Sequence, residues 1–245
     1  MKSIFSFFLK HYRGFSFSLW FHLIAVLINS GVSVVTIFLV LYLTNQLRFS
    51  PMAAGWVVTT FGIGSLIGAF SSGFLCDRFN SQLISIVSLF INAFLLLILP
   101  FVYSLHYLLL LALILGASNY AFSPANRVTM MNLTRQQDHV RVSAIRYMMM
   151  NLGFGAYVFI AGRLVVYSYN WLFILSGISV LCISCMMLLS YLKTSPHLKI
   201  NRIESVPKEY SSEKSLLLQF VWLYLGLFLR NLELLILFIC INIII

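Results

Sequence analysis

The chain has 245 residues, 61% of them hydrophobic and 9% charged, and a net charge of +10. Soluble domains carry about 25% charged residues, and no water-exposed fold of this length could cover so much apolar surface, so a soluble enzyme or binding domain is excluded. In a soluble protein the excess of bases would suggest nucleic acid. Here the bases fall between long apolar runs, which removes nucleic acid as a partner and points to membrane topology.

Lys2, Lys10 and Arg13 precede an apolar run in the manner of a signal peptide. The run is too long for that and no small-residue cleavage site interrupts it, so it reads as a retained first span over residues 18–43. Residues 14–47, 49–76, 79–126 and 164–192 contain no Lys, Arg, Asp or Glu. A helix needs about 20 apolar residues to cross the hydrocarbon core. The runs are continuous, whereas barrel strands alternate apolar with polar residues, so helices are expected. Further spans are predicted at 52–76, 82–102, 106–130, 145–166 and 170–192. The fold class is all-α: a polytopic six-helix half bundle plus one extra hydrophobic segment.

Residues 1–193 thus form a six-span unit. Composition changes at 194–215, where Lys199, Arg202, Glu204, Lys208, Glu209, Glu213 and Lys214 gather with Pro196 and Pro207. This reads as a cytoplasmic linker. Residues 216–245 are apolar again and are interrupted by Arg230 and Glu233, three residues apart. They read as a seventh crossing or as a truncated end.

With the N-terminus placed inside, one side collects Lys2, Lys10, Arg13, Arg78, Arg127, Arg135, Arg141, Arg146 and the linker bases. The other side keeps Arg48 and Arg163. Cytoplasmic loops accumulate Lys and Arg, so the N-terminus is expected in the cytoplasm of a cell-membrane protein. Arg127, Arg146 and Arg163 lie at span ends and are expected to snorkel to the headgroups, with Asp77 as an alternative partner for Arg127.

Between the second and third spans the sequence reads Gly73-Phe74-Leu75-Cys76-Asp77-Arg78-Phe79-Asn80-Ser81-Gln82. It resembles the signature loop of the major facilitator superfamily, G-x-L-x-D-[RK]-x-G-[RK]-[RK]. Gly73, Leu75, Asp77 and Arg78 match, while Asn80, Ser81 and Gln82 depart. Gly116, Pro124, Asn126, Arg127, Arg141, Asn151 and Gly153 are similar to the helix-four and helix-five region of bacterial members, notably drug-efflux-like branches. The antiporter motif of helix five is reduced at residues 157–162 to Gly162. The resemblance implies two inverted three-helix repeats in residues 18–193 and a gating loop at Gly73, Asp77 and Arg78. It also implies a second six-helix half, so a chain offering six or seven spans is expected to be truncated and inactive unless it meets a second half or a second copy.

Asn29, Ser33 and Thr36 share one face of the first helix, and Asn119, Ser123 and Asn126 repeat that spacing on the fourth. The resemblance makes these helices counterparts that line a small-solute cavity, with Asn29, Ser33, Thr36, Asn119 and Ser123 as cavity candidates. Interhelical or backbone hydrogen bonding is the plainer reading of the same residues. Gly64, Gly68 and Ser72 form a small-residue stripe suited to close helix packing. Gly62-Ile63-Gly64 lacks the strand and third glycine of a nucleotide loop.

No cofactor or metal is expected. Cys182 and Cys185 have no second ligand pair, and Asp138-His139 has no companion. Among Asp and Glu, the six spans hold only Asp77, at an edge, so a buried proton-coupling carboxylate is not found in them. Transport of a small solute across a lipid bilayer is the leading expectation. A membrane-embedded assembly or sensory subunit is the alternative, and an enzyme is not expected, because no Ser, His, Asp or metal cluster falls within the spans.

Overall fold

The computed structural model describes residues 15–194. The linker and the 216–245 segment lie outside the described residues. Six helices are long and apolar enough to cross a membrane: Phe17–Gln46, Pro51–Arg78, Ser81–Phe101, Leu105–Asn132, Gln136–Tyr167 and Tyr169–Lys193. They agree with the six predicted spans, with two informative differences.

The first difference is that the first span is not one continuous helix. It runs as α-helix over Phe17–Val32 and Val35–Leu41 and ends in a π turn at Tyr42–Gln46. At the interruption the Ser33 hydroxyl donates to the Asn29 carbonyl at 3.2 Å. The Val34 N–H reaches back only to the Gly31 carbonyl, at 2.9 Å. Ser side chains that bond back to the previous turn bend helices, and the following Val35 and Thr36 are β-branched poor helix formers.

The second difference is that the fifth span begins at Gln136, about two and a half turns before the expected residue 145. Arg141, which falls before the expected span, is helical, and Arg146, expected at the span end, lies about two turns inside the α-helix. Arg141 pairs with Asp138 at 3.9 Å, one turn earlier. Arg146 is turned inward.

The other ends follow local rules. Ser50 accepts from the Ala53 N–H at 3.3 Å and Pro51 takes the first helical position, starting the second span. Asn80 accepts from the Gln82 N–H at 2.9 Å and starts the third. The third closes in a 3-10 turn, Leu99–Phe101, around Pro100. The fourth carries Pro124 inside it, which removes one backbone donor without ending the helix.

The second span packs along the fourth, the fourth along the third, the third along the sixth, the sixth along the first and the first along the fifth; the first and fourth also meet. Spans one, three, four and six thus close a ring, and spans two and five flank it. Exchange the first with the fourth, the second with the fifth and the third with the sixth, and the same set of pairings returns. The first and fourth run antiparallel, because His22 faces Asn126 and Asn29 faces Asn119. This is the arrangement of two inverted three-helix repeats.

Lipid gives helices no hydrophobic reason to associate, so close backbone approach has to hold them. A Cβ on Gly64 would strike the Leu113 carbonyl, and one on Gly68 the Ala117 carbonyl. One turn further, the Ser72 hydroxyl donates to the Ala121 carbonyl at 2.8 Å. The small-residue stripe of the second span is therefore its contact with the fourth. The counterpart pair repeats the ladder: a Cβ on Gly153 would strike the Leu27 carbonyl, and four residues on Tyr157 covers Gly31.

Candidate functional site

Three polar contacts lie along the fourth span. Near its C-terminal end, His22 Nδ1 lies 2.5 Å from Asn126 Oδ1. Asn126 Nδ2 in turn donates to the His22 carbonyl at 3.4 Å and to Met130 Sδ at 3.5 Å. Two turns away Asn29 Nδ2 donates to Asn119 Oδ1 at 3.2 Å, and Asn29 Oδ1 is buried with no partner among the described residues. Between them Arg146 Nη2, from the fifth span, donates to Ser123 Oγ at 2.8 Å. His22, Asn29, Asn119, Asn126 and Arg146 are all buried.

The predicted cavity residues separate on this basis. Asn29 and Asn119 are brought together and bond each other. Ser123 is half-buried and is taken by Arg146. The Ser33 hydroxyl bonds its own helix. The Thr36 side chain lies outside the described residues. A small gap beside this row is lined by Val32, Val35, Leu39, Phe61, Leu96, Leu99 and Leu115, with Asn119 as its polar member.

The loop at residues 73–78 forms the last turn of the second span. Asp77 and Arg78 are exposed, and Arg78 Cζ sits 4.2 Å above the Phe74 ring. Among the described residues the ion pair is Asp138–Arg141, so Asp77 is paired with neither Arg78 nor Arg127. The start of the third span is capped by Asn80. A Cβ on Gly73, the first residue of the signature-like loop, would meet open space. The crowding falls at Gly64 and Gly68 instead, because those positions face the fourth span.

Two residues of this row were not expected. His22 is not among the candidates the sequence singles out. It stands seven residues before Asn29, on the same helix face, and that spacing was the signal available. Arg146 was expected to snorkel but is 8% exposed. Its position at the start of the expected span, residue 145, concealed this, since snorkelling is the ordinary behaviour of a span-end arginine. Arg127 and Arg163 are exposed, as snorkelling requires. Among the described residues no cluster of His, Cys, Asp or Glu could hold a metal ion.

Residues 21–245 match the family model described as Major Facilitator Superfamily. No curated protein matches the chain.

Proposed function

The chain belongs to the major facilitator superfamily, and from that premise we propose that it moves a small solute across the cell membrane by alternating access, with its N-terminus in the cytoplasm. Membership makes it a multi-pass membrane transport protein and does not favour the assembly-subunit reading. The six described spans supply one lobe. The first and fourth spans, joined through Asn29 and Asn119, form the wall that faces the solute, and residues 73–78 form the cytoplasmic gate. The opposing wall comes from outside residues 15–194, whether from later residues, a second copy or a separate lobe.

The observation that carries this reading is the exchange symmetry of the six spans around the first–fourth contact. Alternating access in this class places the solute where inverted repeats meet. A bundle built for assembly alone has no need of that duplication. The drug-efflux-like branch is supported by the pattern from Gly116 to Gly153, and the reduced motif at residues 157–162 favours passive carriage over proton antiport.

The test is reconstitution of the full chain in liposomes and measurement of uptake across a panel of labelled sugars, amino acids, organic anions and lipophilic cations. Saturable uptake of one class, abolished by its unlabelled form, is expected where a second copy or a separate second lobe supplies the opposing wall. Uniform leak-level flux for every class, in vesicles where the protein is shown to be folded, would count against the proposal.

A further inference from the structure

We propose that Arg146, with Ser123 and Arg127, forms a binding site for an oxyanion, a carboxylate or phosphate group, between the fourth and fifth spans. Arg146 is 8% exposed, and one of its three nitrogens, Nη2, donates to Ser123 Oγ at 2.8 Å. Its Nε is buried and has no acceptor among the described residues. The Tyr147 ring, next to it in sequence, makes a cation–π contact with Arg146 at 5.9 Å from Cζ but supplies no counter-charge.

A guanidinium removed from water needs an anion or a set of acceptors. Within residues 15–194 the carboxylates are Asp77 and Asp138. Asp138 is held by Arg141, and Asp77 is exposed at the end of the second span. Instead of a carboxylate, the neighbour of Arg146 is a second cation: Arg127, one turn beyond Ser123, lies near enough for the like charges to act on each other. Two bases set against one another, one buried and incompletely bonded, form a field that an anion relieves.

The chemistry of the donors selects the anion. A guanidinium edge presents parallel N–H groups that match two oxygens of one oxyanion. A halide supplies no such pair. The Ser123 hydroxyl accepts from Arg146 and keeps its own proton to donate to the same group. Such an oxyanion can belong to a dissolved solute or to a lipid headgroup.

The full chain, purified in a neutral maltoside detergent, is followed by thermal unfolding against inorganic phosphate, acetate and phosphatidylglycerol, with sodium chloride at matched ionic strength as reference. A saturable rise in Tm of about 3 °C or more is expected with at least one oxyanion. Phosphate or acetate alone identifies a solute site, and phosphatidylglycerol alone identifies a headgroup site. Arg146→Gln is expected to lose the rise while melting no lower than the parent in chloride, because it removes an unpaired buried charge. Ser123→Ala, with Arg146 intact, is expected to raise the midpoint concentration about tenfold. Arg163→Gln, exposed at the other end of the span, keeps the full response. A response to none of the three anions, or one that survives Arg146→Gln and Ser123→Ala unchanged, overturns the proposal. The readout is binding, so the outcome is separate from that of the uptake assay.

Discussion

His22 and Asn126 hold each other twice. The Asn126 amide donates to the backbone carbonyl of His22 at 3.4 Å, which turns its oxygen toward the imidazole, and that oxygen accepts from Nδ1 at 2.5 Å. Both residues are buried, on helices that belong to different repeats. The contact therefore ties the two three-helix units together near one membrane face.

Interhelical hydrogen bonds in membrane proteins average about 0.6 kcal/mol and reach about 1.7. The short, doubly bonded pair belongs at the upper end. His22→Leu and Asn126→Leu are each expected to destabilise by about 1–2 kcal/mol, with a coupling energy of about 1 kcal/mol between them. Unfolding in mixed detergent micelles, run as a double-mutant cycle, measures this. A coupling near zero would show that the two side chains act independently.

The glycines separate into two groups. Gly64→Ala and Gly153→Ala each press a methyl group onto a backbone carbonyl of the facing helix, which cannot swing aside. Each is expected to cost about 1–3 kcal/mol or more. Gly62→Ala and Gly155→Ala meet open space and are expected to be neutral or slightly stabilising. Monodisperse yield after size-exclusion chromatography, with a melting curve, distinguishes the groups.

Asp77 is exposed and makes no ion pair among the described residues, so its removal does little to the fold. If it acts at the gate, Asp77→Asn is expected to slow uptake about tenfold, about 1.4 kcal/mol in barrier, with Tm shifted by less than about 1 °C. Parallel uptake and melting measurements check both halves. Normal uptake would remove Asp77 from the gate.

Orientation can be read with single cysteines in a cysteine-free background. Arg48→Cys is expected to react with an impermeant maleimide from outside intact cells. Arg135→Cys is expected to react only after the membrane is opened. The reverse pattern would invert the topology.

The spans were legible because charge is excluded from hydrocarbon, and long uncharged runs record that directly. The interruption at Ser33 and Val34 was not, since it depends on a hydroxyl bonding back to the previous turn of its own helix. Arg146 was misread for a related reason: charge marks a boundary only when it faces lipid, and this one faces Ser123. The stripes at Asn29 and Asn119 were visible as spacings. That they meet, and that His22 extends one of them to Asn126, depends on an antiparallel crossing between residues about 90 to 104 positions apart, and no local pattern encodes that.

At one crossing Gly68 lies against Ala117, and at its counterpart Tyr157 lies against Gly31. At the first crossing both partners are small and the backbones touch, while at the second an aromatic ring covers the glycine. A tandem of two identical first triplets would set Gly68 against Gly31 at both crossings and leave the space that Tyr157 fills empty, so the halves of this lobe, alike in plan, are no longer interchangeable parts.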